Sequence, residues 1–207
     1  MKYLHTVAGA AIIVYAAINC TKLGIGELLS FFQFWGIIII AATVFKKDLT
    51  GMFFASMIFG AAFEWVTEAY WDYSLKVYLW RDISLFVIIG WGYSITIFVL
   101  LSNWIFGSLT RQKGTIKIDW RIIPCDMVVG TIWFVANEFL GMKILHLWAY
   151  SKASRWTHMV PGLDYPIEGI IGTALFSVIM SAFVRFWEKD FRWCASPGQE
   201  NPLCRNS

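Results

Sequence analysis

Charge is scarce in this sequence. Asp, Glu, Lys and Arg make up only 15% of its 207 residues, while 58% are hydrophobic and 18% aromatic, against an apolar share of roughly 45–50% in soluble domains. That balance excludes an ordinary soluble domain and implies an integral membrane protein. The net charge of +3 is scattered, with no basic run long enough to form a nucleic-acid-binding arm, so no nucleic acid is expected as a partner. Cysteine and histidine are also sparse. Cys20, Cys125, Cys194 and Cys204 suggest no disulfide framework, and His5, His146 and His158 are too dispersed for metal-ligand spacing. No metal and no cofactor is expected. The five prolines do not create the Gly/Pro-interrupted pair of half-helices from which transporters build ion sites, and no alternation of period two marks barrel strands.

Long apolar runs are abundant. A helix rises about 1.5 Å per residue, so a hydrocarbon layer of roughly 30 Å needs about 20 residues. Six runs meet this need, over 3–20, 27–45, 51–69, 83–106, 122–141 and 166–187. The fold class is therefore all-α: an integral membrane bundle of six transmembrane helices forming a single domain over 1–194, with a polar tail, 195–207, expected to be disordered. The first run, after Lys2, could be a cleaved signal peptide, but Asn19 fits poorly where a small residue should precede Cys20, so a retained helix is the simpler reading. With the N-terminus inside, most Lys and Arg, including Lys46, Lys47, Arg111, Lys113, Arg185 and Lys189, lie on the inner side. A multi-pass protein with both termini cytoplasmic follows. Glu64, Glu68, Asp72, Glu138, Asp164 and Glu168 then share the outer half.

Two of those acids sit where hydrocarbon does not tolerate them. Glu64 lies about 13 residues into its helix among Phe63, Trp65 and alanines, and an ionised group at such depth costs on the order of 2.5 kcal/mol to insert unless it pairs or meets water. Glu138, next to Asn137, poses the same problem. Glu68 and Asp72 follow Glu64 at four-residue steps and would extend an acidic stripe if the helix continued to Asp72. Glu168 follows Pro166 at the start of the last run, where a carboxylate also complements free helix N–H groups. Gly169, Thr173, Ser177 and Ser181 form a small-residue stripe suited to close helix packing.

Aromatic residues gather beside these acids. Trp71, Trp80, Trp91, Trp148 and Trp156, with Tyr70, Tyr73, Tyr78, Tyr150 and Tyr165, read as an interfacial belt, and some of their faces could line a pocket that stabilises a cation. A weak internal duplication is also readable. Ala62-Phe63-Glu64-Trp65 leads to Trp71-Asp72-Tyr73-Ser74, and Ala136-Asn137-Glu138-Phe139 leads to Trp148-Ala149-Tyr150-Ser151. Two helical hairpins related in this way would be parallel, about an axis along the membrane normal.

Trp148-Ala149-Tyr150-Ser151, followed by Pro166-Ile167-Glu168 at the head of an apolar run, resembles the signature of the membrane-embedded lycopene cyclase type of carotenoid cyclase. In that family Trp-x-Phe/Tyr-Asn-Pro precedes Pro-x-Glu-Glu; here Lys152 stands in place of the proline and Gly169 in place of the second acid. The resemblance implies acid-initiated, non-redox cyclisation or related isomerisation of an isoprenoid or carotenoid lipid, with Glu168 catalytic and Trp148 and Tyr150 as pocket wall. Depth adds Glu138 and Glu64 as further catalytic candidates, and Asn137, Trp71, Tyr73 and Trp156 complete the expected substrate-binding set. The partner is then a membrane lipid or isoprenoid substrate, with a homo-oligomer or a membrane partner left open. Two other readings compete: a small transporter or cation-binding protein using Glu64 and Glu138 as relay groups, and a non-catalytic membrane subunit.

Overall fold

The structure, a computed structural model, describes residues 49–81, 83–110, 120–152, 154–163 and 165–192, with the single residues Gly24, Leu28, Phe32 and Gly36. The helices expected over 3–20 and 27–45 and the tail 195–207 lie outside the described residues. Four helices dominate the rest: α1 (Thr50–Thr67), α2 (Leu85–Thr110), α3 (Ile123–Phe139) and α4 (Ile167–Arg192). Among the described residues, three helical stretches are long and apolar enough to cross a membrane: Leu85–Thr110, Trp120–Ile144 and Ile167–Trp187. The second includes the short turns on either side of α3. A helix bonds its own backbone, so such a stretch needs no outside partner in hydrocarbon. Pro124 sits in the first turn of α3, where its missing N–H removes no helix bond.

The helices pack as α1 on α2, α2 on α3, α3 on α4 and α4 on α1. Phe98, Phe134, Met180 and Val184 meet in the shared core, and a second cluster of Phe53, Phe86 and Ile89 joins α1 to α2. Small residues meet where α3 packs on α4. A Cβ added at Gly130 of α3 would lie 2.1 Å from the Ser177 Oγ of α4, so glycine is what lets the Ser177 and Ser181 stripe approach. The other face of α4 exposes Ile171, Leu175 and Ile179, four residues apart, as a helix does when apolar solvent surrounds it.

At one end of the bundle, Asp126 and Arg185 form a buried, two-pronged ion pair: Arg185 Nη1 and Nη2 donate to Asp126 Oδ2 and Oδ1 at 2.6 and 2.7 Å. Ser102 and Ser181 also donate to this carboxylate, and Arg185 Nε donates to Asn103 at 3.0 Å. Arg185, expected as a topology residue in the inner connection, is thus consumed inside the bundle.

At the other end the connections form strands, which a reading in apolar runs did not anticipate. β1 (Trp71–Tyr73) pairs antiparallel with β2 (Trp148–Tyr150), so that Trp71 faces Tyr150 and Tyr73 faces Trp148. β3 (Met159–Val160) pairs with β4 (Tyr165–Pro166). Aromatic residues favour such pleated, half-buried positions. The acidic stripe does not form, because α1 ends at Thr67, a tight turn follows over Glu68–Tyr70, and Asp72 lies on β1. Glu68 pairs instead with Arg81 at 3.0 Å on the surface.

Candidate functional site

Between the β1–β2 ribbon and the ends of α1, α2 and α3 lies a half-open cavity of about 130 Å³. For scale, an apolar cavity of about 150 Å³ takes one benzene ring. Glu64, Asn137, Glu138, Trp71, Tyr73 and Trp148 all line it. These residues come from three segments spread over 85 positions of sequence, and the ribbon register brings them together.

Glu64 is 1% exposed. Its carboxyl accepts from the Trp91 indole N–H at 2.6 Å and from the Tyr73 hydroxyl at 2.8 Å to each oxygen. The Trp91 ring is held edge-on by Phe63, with centroids 5.2 Å apart, and lies against Gly60, where a Cβ would stand 2.2 Å from that of Trp91. Glycine one turn before Glu64 is therefore what admits the indole.

Glu138 is built in a similar way from α3. Its Oε2 accepts from the Trp148 indole N–H at 2.7 Å, and that ring rests on Gly141, where a Cβ would come within 2.0 Å. Here the chain needs two adjustments to turn back. A π-helical turn over Leu140–Ile144 widens the end of α3, and His146 takes a left-handed backbone with φ 52°. Such a conformation is costly for a residue with a Cβ and persists where the surroundings enforce it; here it delivers Trp148 to Glu138. The second oxygen of Glu138 has no hydrogen-bond partner among the described residues.

The ribbon carries the pairing. Tyr73 and Trp148 face each other in register, their rings 6.5 Å apart, and each donates to a different carboxyl. Burial, then the charge of Glu64, pushes the Tyr73 phenol well above its ordinary range, so it remains a donor at neutral pH. Tyr165 is pushed up to about 12, by burial first and then by the charge of Glu138.

The remaining expected residues lie outside the cavity. Tyr150 stacks on Trp71, with centroids 4.9 Å apart, and meets Trp156 at 5.8 Å, forming an outer aromatic layer over the ribbon. Glu168 takes the Thr157 hydroxyl at 2.7 Å and His158 Nδ1 at 2.8 Å, which ties the β3–β4 connection to the start of α4. Conversely, the cavity recruits Trp91, expected only as one of the interfacial aromatics, and Ser94 and Phe134, which the sequence reading did not single out. Ser94 and Phe134 sit within apolar runs, and nothing in their spacing marks them. Among the described residues no group of His, Cys, Asp and Glu could hold a metal ion. No protein-family model, no curated protein and no solved structure matches this chain.

Proposed function

We propose that this protein is a multi-pass membrane enzyme that carries out acid-initiated, non-redox cyclisation or isomerisation at one end of an isoprenoid lipid. The observation that carries this reading is the placement of Glu64 and Glu138 on the wall of one aromatic cavity, each held by an indole N–H. In this reading Glu138, with one oxygen uncommitted, supplies the proton that starts the reaction. Glu64, with two donors suited to a charged carboxylate, takes a proton at the end. Trp71 and Trp148 line the same space, and their π systems would stabilise the cation between those steps. The cavity takes about one ring, so only the end of a long lipid enters and the remainder lies in the bilayer.

The wider architecture belongs to the same proposal: six membrane helices, both termini cytoplasmic, the cavity in the outer half. The pairing of Trp71-Asp72-Tyr73 with Trp148-Ala149-Tyr150 across an antiparallel ribbon is what a two-fold relation between duplicated hairpins would produce, and supports that relation. Glu168 serves here as the clasp on the last connection. Against a relay of protons across the bundle stands the far end, where Asp126 and Arg185 neutralise each other.

The test is to incubate the purified protein in lipid with isoprenoid polyenes and their terminal oxides, and to look for products of unchanged mass. Formation of an isomer that is lost in Glu138→Gln and in Glu64→Gln, with the fold retained, supports the proposal. An isomer yield that both variants preserve would overturn it.

A further inference from the structure

The polar atoms of the cavity are not all committed to one another. Asn137 Nδ2 donates one of its two hydrogens to the Trp133 carbonyl at 2.7 Å, and its second N–H has no acceptor among the described residues. The Trp133 indole N–H in turn donates to Ser94 Oγ at 2.9 Å, and the Ser94 hydroxyl hydrogen has no acceptor among the described residues. The second oxygen of Glu138 is likewise unpartnered among them. Ser94, Asn137 and Glu138 all line the cavity, so one wall holds two donors and a carboxyl group. A purely hydrocarbon end entering the cavity would displace water from all three and return no hydrogen bond.

Resting on the enzyme reading above, we infer that the substrate end entering the cavity carries an oxygen function, bound by the Ser94 hydroxyl, the Asn137 amide and Glu138. Proton transfer from a carboxyl to oxygen is also far easier than to a plain alkene. With a terminal epoxide the step balances. Glu138 gives its proton to the ring oxygen as one C–O bond breaks, and that electron pair stays on oxygen. A neighbouring alkene closes a C–C bond onto the freed carbon, and Glu64 takes a proton from the carbon beside the new cation. The product is an isomer with a hydroxyl and an alkene, and the proton returns from Glu64 to Glu138 through water in the half-open cavity.

Binding tests this without turnover. Titration of the full chain in lipid, followed by tryptophan fluorescence, compares a diterpene polyene hydrocarbon with the same chain bearing a terminal epoxide. The epoxide is expected to bind about tenfold tighter, as a site with hydrogen-bonding groups discriminates against an analogue that lacks the partner. Ser94→Ala and Asn137→Leu should each reduce the ratio of epoxide to hydrocarbon affinity. Equal binding of the two ligands by the unsubstituted protein overturns the inference, and this comparison needs no variant to fold. Isomer formed from the hydrocarbon together with equal binding would sink the oxygen assignment and leave the enzyme reading intact. Preference for the epoxide with no isomer formed would do the reverse.

Discussion

The two ends of the bundle handle buried acids in opposite ways. Asp126 and Glu138 lie on the same helix, 12 residues or about 18 Å apart. Asp126 receives a guanidinium fork and two serine hydroxyls, so both of its oxygens are saturated. Glu138 receives one indole N–H and keeps one oxygen toward a cavity. Among the described residues no cation lines the cavity beside Glu138; an aromatic donor, the Trp148 indole, takes that place. A saturated ion pair holds helices together and offers a substrate nothing, whereas an acid with spare valence in an aromatic wall retains its chemistry.

Breaking the saturated end should have the largest effect on stability. Arg185→Met leaves Asp126 buried and unpaired, which is expected to cost about 3–5 kcal/mol in thermal or denaturant unfolding; adding Asp126→Asn should recover much of the loss. At the other end, Gly141→Ala should cost about 1–3 kcal/mol, because the new methyl overlaps the Trp148 ring, and tryptophan emission should shift as the indole leaves Glu138. Gly60→Ala should act in the same way on Trp91. Trp148→Phe keeps a ring but removes the donor, and a loss of about 1 kcal/mol is expected in unfolding. Gly90 sharpens the comparison from the other side. It lines the cavity, and a Cβ there meets nothing within 4 Å, so Gly90→Leu should keep the fold and add up to about 1 kcal/mol of stability through the better helix former while abolishing ligand-induced fluorescence changes.

Alkaline pH adds a smaller test of the ribbon end. The Tyr165 phenol is held up to about 12 in the fold against about 10 in an unfolded chain, so the native state keeps the proton longer. The corresponding stability is fully present below pH about 10 and is lost as pH rises through about 12. Melting temperature should fall over that window in step with tyrosinate absorbance, and Tyr165→Phe should remove part of the slope.

Much of the helical layout was legible because apolar run length is a local property. The run expected over 83–106 is a helix at Leu85–Thr110, and that over 122–141 is a helix at Ile123–Phe139 with a widened final turn. The depth of Glu64 and Glu138 could be read because insertion cost depends on position along a helix. Their partners could not. Trp91 lies 27 residues from Glu64 inside an unbroken apolar run, and Arg185 looked like one more basic residue at a helix end until the bundle placed it on Asp126.

By itself the sequence determined the apolar character of the chain, the positions of the long helices among the described residues and the acids that hydrocarbon would penalise, since each depends on neighbours along the chain. Tertiary structure decided which acid is neutralised and which is left with an oxygen to spare. That outcome depends on the antiparallel register of two aromatic segments 77 positions apart, on glycines that admit an indole at Gly60 and Gly141, and on the meeting of α3 with α4. Hydrogen-bond partners are set by geometry in space, which local composition does not encode.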